Sequence, residues 1–126
     1  MKLNYILLVT CLFLFGCSDA SEELDRRDYP RIETFVPQIT SDGAHFSGTF
    51  LVPGKNKIID HGFTWDHDFP DLALAPKYSM GPTETTGPFE ADVKYEFVKG
   101  REYIVRAYAI TSDYKVFGQA FRFTVE

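Results

Sequence analysis

Alternation of apolar and charged side chains marks the clearest structural element of the chain, between Phe89 and Phe97. The apolar positions are Phe89, Ala91, Val93, Tyr95 and Phe97, and the charged positions between them are Glu90, Asp92, Lys94 and Glu96. Successive side chains of a β-strand point to opposite faces of its sheet. The pattern therefore predicts a strand with one buried and one solvated face, with Tyr95 and Phe97 on the buried face.

The same period of two recurs along the chain from Ile32, between turns rich in Gly, Pro, Asn and Asp. It predicts strands at residues 32–39, 44–52, 57–65, 77–80, 89–97, 102–111 and 115–125. Trp65 shares a face with Phe63, so we expect it in the core. Seven short strands without crossover helices predict an all-β fold, an antiparallel two-sheet sandwich. A small barrel is the alternative.

A hydrophobic stretch opens the chain. Lys2 precedes the apolar run 3–15, a charged start and an apolar region of secretory length. The run is shorter than the roughly 20 residues that a transmembrane helix needs. It ends in Leu14-Phe15-Gly16-Cys17, which resembles the lipobox of bacterial lipoproteins. The resemblance implies that residues 1–16 are a signal peptide and that Cys17 carries lipid; ordinary secretion with cleavage near Gly16 or Ala20 is the alternative.

Residues 17–31 are polar, and Pro30 disfavours a helix there. We interpret them as an acidic flexible tether between the lipid and a domain at 32–126. The acidic run 18–25 also resembles the export signal of Bacteroidetes surface lipoproteins, with a solvated linker as the alternative. The lipid would hold the protein at the outer membrane, on its periplasmic or its external face.

Composition limits the partners of the mature chain. Removal of the signal leaves 110 residues, enough for one domain, and changes the net charge from −5 to −6 because Lys2 is lost. Cys11 lies in the signal and Cys17 would carry lipid, so no thiol remains for a disulfide. An acidic domain without a Lys/Arg cluster argues against nucleic acid and against direct binding to anionic lipid. The membrane is therefore expected to be a partner only through the anchor.

Four motifs resemble, in order, a fibronectin type III-like repeat of Bacteroidetes surface proteins. They occupy residues 44–48, 59–65, 97–109 and 116–124. The resemblance covers 32–126, and it implies an immunoglobulin/fibronectin III-like sandwich without implying an activity. Within the third motif, Tyr103 matches the corner tyrosine of that fold, whose ring is buried and whose hydroxyl bonds to upstream backbone.

The densest polar cluster combines acidic residues with imidazoles, which are ligands that divalent cations use. It consists of Asp60, His61, Asp66, His67, Asp68 and Asp71. Its spacing matches no zinc or calcium loop, so we expect a polar turn with no metal and no other cofactor.

Catalysis by a hydrolase would need a nucleophile, a base and an orienting group. The mature sequence has no Gly-x-Ser-x-Gly motif and nothing that links Ser79 to His61, so no enzymatic activity is expected.

Aromatic side chains outside the predicted core give the best hypothesis for binding. Tyr108 alternates with small residues and is expected to point outward, and the others lie in predicted loops or an edge strand. The candidate ligand-binding residues are Phe69, Tyr78, Tyr108 and Tyr114. Exposed rings suit the apolar face of a sugar or a protein hot spot. Rings that only cover the open ends of the sandwich are the alternative.

These features together predict a non-catalytic surface lipoprotein that displays its domain to a protein partner. The main alternative is a carbohydrate-binding surface lipoprotein that uses the exposed aromatic residues. A small cell-envelope enzyme is the third hypothesis, and the missing catalytic motifs argue against it.

Overall fold

The structure, a computed structural model, describes residues 28–84 and 86–126. The predicted signal peptide, Cys17 and most of the predicted tether lie outside the described residues. Within the described ranges no helix is long and apolar enough to span a membrane. The strands are β1 (Arg31–Thr34), β2 (Gln38–Thr40), β3 (Gly43–Val52), β4 (Ile58–Asp66), β5 (Lys77–Ser79), β6 (Gly87–Lys94), β7 (Glu102–Thr111), β8 (Lys115–Phe117) and β9 (Phe121–Thr124).

Two antiparallel sheets pack against each other, which confirms the predicted β-sandwich. In the first sheet, β3 pairs with β6 on one side and with both β1 and β2 on the other. In the second sheet, β4 lies between β5 and β7, and the far side of β7 pairs with both β8 and β9. Each sheet thus has one edge made of two short strands in succession.

Two of the predicted strands are divided, for different physical reasons. The predicted strand 32–39 breaks at Pro37, which has no N–H to donate to the ladder. The predicted strand 115–125 breaks at 118–120, because the backbone N–H of Ala107 in the neighbouring strand β7 donates to a different acceptor there. That N–H donates to Oγ1 of Thr34, a buried residue of the first sheet, over 2.9 Å. The contact ties the two sheets together along this side.

The core is built from the inward-facing residues of both sheets, as the alternation predicts. Phe46 lies at its centre, with ring centroids 5.8 Å from Phe63, 5.5 Å from Trp65 and 6.0 Å from Phe123. Trp65 is 2% exposed, in agreement with its predicted place in the core. Its Nε1–H has no acceptor among the described residues, so packing alone holds the ring.

Tyr103 connects the core to the turn that precedes β7. Its ring is buried and stacks on Phe123, with centroids 5.7 Å apart. The backbone N–H of Val98 donates to the Tyr103 hydroxyl over 2.8 Å. This bond fixes the turn that precedes β7, in which Arg101 N–H donates to the carbonyl of Val98 and Gly100 adopts a φ of +81°.

His45 bridges two carboxylates on the solvated face of the first sheet. Its Nδ1 lies 2.6 Å from Asp92 Oδ1, and its Nε2 lies 3.4 Å from Glu90 Oε2. The hydrogen bond to Asp92 raises the pKa of His45 above its ordinary value, against a smaller opposing effect of burial, and the charges of both carboxylates add to the rise.

Stability should therefore depend on pH through His45. A raised folded pKa means that the stabilisation is fully present below the ordinary pKa of about 6.5 and disappears as the pH rises through the folded pKa. Because the pair is exposed, we expect an effect below about 1 kcal/mol. Urea unfolding of the wild type and of His45→Gln should diverge on the acid side of this range and converge on the alkaline side. An equal difference at both ends would contradict the prediction.

Candidate functional site

Tyr108 faces away from the core as predicted, but the prediction that it is exposed is wrong. It pairs with Gly62 on the outer face of the second sheet, the face that points away from the first sheet. Its side chain is 0% exposed. Gly62 adopts a φ of +155°, and a Cβ built there would overlap the carbonyl oxygen of Tyr78 and lie 3.4 Å from the Tyr108 ring. Tyr108 is thus a packing residue without a free face for a ligand.

Asp60 organises the polar groups around the Tyr108 hydroxyl. Its Oδ2 accepts a hydrogen bond from that hydroxyl over 2.8 Å. Its Oδ1 accepts from Ser79 Oγ over 2.6 Å and from the backbone N–H of Gly81 over 3.0 Å. The carboxylate therefore joins β4, β5 and β7 across the outer face.

The titration of this cluster makes it a poor acid–base pair. Burial by itself would raise the pKa of Asp60, but hydrogen bonds from Ser79, Tyr108 and the backbone of Gly81 and His61 together hold it below its ordinary value. Burial, and then the bond to Asp60, raise the pKa of Tyr108. The carboxylate is a weak base and the phenol keeps its proton, so the cluster suits structural cross-linking rather than proton transfer.

The structure separates the residues of the polar cluster predicted from sequence. His61 lies on the inner side of the sheet, near the rings of Phe50 and Phe89, with Nδ1 2.7 Å from the carbonyl of Gly81. Ser79 lies on the outer face, so the sheet divides it from His61. Asp66 is the last residue of β4, and His67, Asp68 and Asp71 follow that strand. Within the described ranges, no three His, Cys, Asp or Glu side chains are placed to hold a metal ion.

The other three candidate aromatic residues are exposed, but they do not form one patch. Tyr114 lies beside Thr111, which pairs with Ile58 at the start of β4, whereas Phe69 follows the end of β4. Nine residues of strand separate those ends, roughly 26 Å. Tyr78 lies between them on β5, and Tyr114 also packs against Tyr29 at 5.2 Å. A ligand shorter than this spacing cannot stack on all of these rings at once.

A loop with several internal hydrogen bonds follows β4, and we call residues 67–76 the acidic loop. Asp71 fixes its backbone: Oδ1 accepts from Ala73 N–H over 2.8 Å, and the carbonyl accepts from the N–H groups of Leu74 and Ala75 over 3.1 and 2.8 Å. Thr64 Oγ1 donates to the carbonyl of Pro76 over 3.0 Å, which attaches the loop to the outer face. The buried residues of the loop are Pro70, Leu72 and Ala75.

Two large apolar side chains of the acidic loop remain in solvent. Phe69 is 65% exposed, and Leu74 at 86% is the most exposed of the large hydrophobic residues that the structure describes. Asp68 and Asp71 of the same loop are also exposed. His67 lies with Nδ1 2.7 Å from Asp66 Oδ1. Two large apolar side chains exposed on one hydrogen-bonded loop make the acidic loop a candidate binding element.

Leu74 is the residue of this surface that sequence reasoning missed. The sequence did contain a signal, because two leucines lie between Pro70 and Pro76. So short a segment bounded by prolines is not expected to bury both side chains. Which leucine is exposed follows only from the turn around Asp71, because Leu72 is buried and Leu74 is not.

Comparison of the chain with protein-family models, with curated proteins and with solved structures gives no match.

Proposed function

We propose that this protein is a non-catalytic lipoprotein of the outer membrane that displays a fibronectin III-like module and binds a protein partner through the acidic loop. The observation that carries the proposal is the exposure of Phe69 and Leu74 on a backbone held by internal hydrogen bonds. Attachment through lipid at Cys17 rests on the resemblance of residues 14–17 to a lipobox. The fibronectin III-like identity rests on the four motifs and is supported by the Tyr103 corner.

The position of the chain entry supports display of the acidic loop away from the membrane. The carbonyl of Asp28 accepts from Asn56 N–H over 3.0 Å, and Tyr29 packs on Tyr114. These contacts place the incoming chain beside the start of β4, while the acidic loop follows the end of that strand. A tether that arrives at this end leaves the acidic loop at the opposite, membrane-distal end of the domain.

Energetics favour a protein interface over simple solvation of the acidic loop. Burial of one Leu or Phe side chain contributes about 1.5–3 kcal/mol. Because hydrogen bonds already fix the loop backbone, a partner would pay little conformational entropy to bind it. The exposed Asp68 and Asp71 match a partner pocket rimmed by lysine or arginine, which would set orientation and association rate.

Truncation of the apolar side chains should remove partner binding without unfolding the domain. We expect Phe69→Ala and Leu74→Ala each to weaken capture of the partner about 10- to 150-fold, which corresponds to the loss of about 1.5–3 kcal/mol of side-chain burial. The measurement is quantitative cross-linking of the full chain in its own membranes, followed by mass spectrometry of the captured protein. Thermal unfolding should show both variants folded.

Leu51→Ala is the matched control, since it truncates an exposed leucine on β3, away from the acidic loop. The control should capture the partner as the wild type does. If all three variants capture as much partner as the wild type does, or if all three lose capture to the same extent, the role of the acidic loop is refuted.

A further inference from the structure

An open groove of about 750 Å³ lies at the end of the sandwich where β6 stops and the turn before β3 begins. We call it the end groove. Its lining includes Thr40, Asp42, Lys94, Tyr95, Glu96 and Lys99. No residue of the acidic loop lines the end groove, so a site here does not depend on the function proposed above.

Tyr95 is a fixed aromatic platform in the end groove, contrary to its predicted place on a buried face. β6 ends at Lys94, whose partner Gly43 is the first residue of β3, and Tyr95 N–H donates instead to the carbonyl of Asp42. The Tyr95 ring centroid lies 4.7 Å from Phe97 and 5.3 Å from Trp65, which meets it edge-on. Held from two directions, the residue still exposes 36% of its surface.

Charges around the end groove balance. Asp42 and Glu96 supply two carboxylates, and Lys94 and Lys99 supply two ammonium groups. A strongly charged ligand would meet repulsion from one pair wherever it met attraction from the other. A neutral ligand with many hydroxyls can accept from the ammonium groups and donate to the carboxylates.

We propose that the end groove binds a neutral saccharide, with a sugar ring stacked on Tyr95 and its hydroxyls bonded to the charged rim. The apolar face of a pyranose suits a rigid aromatic ring that has a polar handle. The openness of the end groove also suits one segment of a glycan chain, because apolar small molecules usually occupy enclosed pockets that bury most of their surface.

Trp65 provides a direct probe, because it is the single tryptophan of the chain and touches Tyr95. We would titrate the full chain, in a detergent without a sugar head group, with cello-, xylo-, malto- and mannohexaose up to about 10 mM, beyond the millimolar constants of weak binding. At least one of them should change the Trp65 emission saturably. If none does, and calorimetry detects no heat of binding, the proposal is overturned.

Substitution distinguishes stacking from incidental contact. Tyr95→Ala should weaken binding about tenfold or more and Tyr95→Phe should preserve it, because the ring is the platform. Tyr114→Ala, at the other end of the domain, should bind as the wild type does. Calorimetry measures saccharide binding by those variants whose substitution itself changes the Trp65 emission. Thermal unfolding verifies that the variants are folded. Unchanged binding by Tyr95→Ala, or tighter binding of the anionic hexagalacturonate than of any neutral hexaose, would refute the proposal.

Discussion

Phe46→Ala is expected to lower the free energy of unfolding by about 3–5 kcal/mol, the largest effect of any single truncation considered for this domain. Phe46 is 1% exposed, and its ring contacts aromatic rings of the opposite sheet. The cavity left by its ring would be lined by large aromatic side chains that can collapse only partly. Urea denaturation followed by circular dichroism measures the change.

Phe69→Ala is the matched control, because it removes the same side chain from an exposed site. Its free energy of unfolding should stay within about 0.5 kcal/mol of the wild type. Loss of stability in Phe69→Ala comparable to that in Phe46→Ala would mean that the acidic loop packs into the domain rather than presenting Phe69 to a partner. That result would also undermine the proposed function.

Asp60→Ala is expected to cost about 2–4 kcal/mol. The substitution removes the acceptor of the Tyr108 hydroxyl, of Ser79 Oγ and of the Gly81 N–H in one step. Most of the cost comes from the hydroxyl of the fully buried Tyr108, because the loss of a hydrogen bond to a charged acceptor costs about 1.5–3 kcal/mol. Ser79 is exposed and its hydroxyl can bond to water instead, so its bond adds little. Asp66→Ala, at the other end of β4, should change stability by less than about 1 kcal/mol.

The acid limb of the stability curve gives the prediction for Asp60 a second readout. Its folded pKa lies below the ordinary value of 3.8, so its stabilisation is present above that value and is lost as the pH falls through the folded pKa. The wild type and Asp60→Ala should therefore converge in stability towards the acid end. A difference that stays constant down to the folded pKa would assign the loss to packing instead of to the carboxylate.

Much of the fold could be predicted from the local alternation of apolar and polar residues. The errors of that prediction have identifiable causes. The pattern in 44–52 predicted β3 to within one residue, since every second side chain there enters the core. Pro37 gave a visible signal for the break between β1 and β2. The break between β8 and β9 had no such signal, because it depends on a bond from Ala107 to Thr34, 73 residues away in the chain.

The candidate binding residues were less predictable than the strands. The exposure of Phe69 was predicted correctly, because an aromatic residue in a loop beside prolines is a local signal. Tyr95 was assigned to the core because alternation continues past the point where β6 loses its partner. β6 loses its partner because β3 begins at Gly43, and the sequence of 89–97 cannot show where β3 begins.

By itself, the sequence determined which side chains point to the same face, because the period of two is set by the backbone of each strand. It could not determine what covers that face. Tyr108 lies on the outer side of its strand as the pattern requires, yet Asp60 and the chain around Ser79 and Gly81 enclose its hydroxyl. Exposure depends on the neighbours that tertiary structure brings, and for this domain those neighbours decided which aromatic rings a ligand can reach.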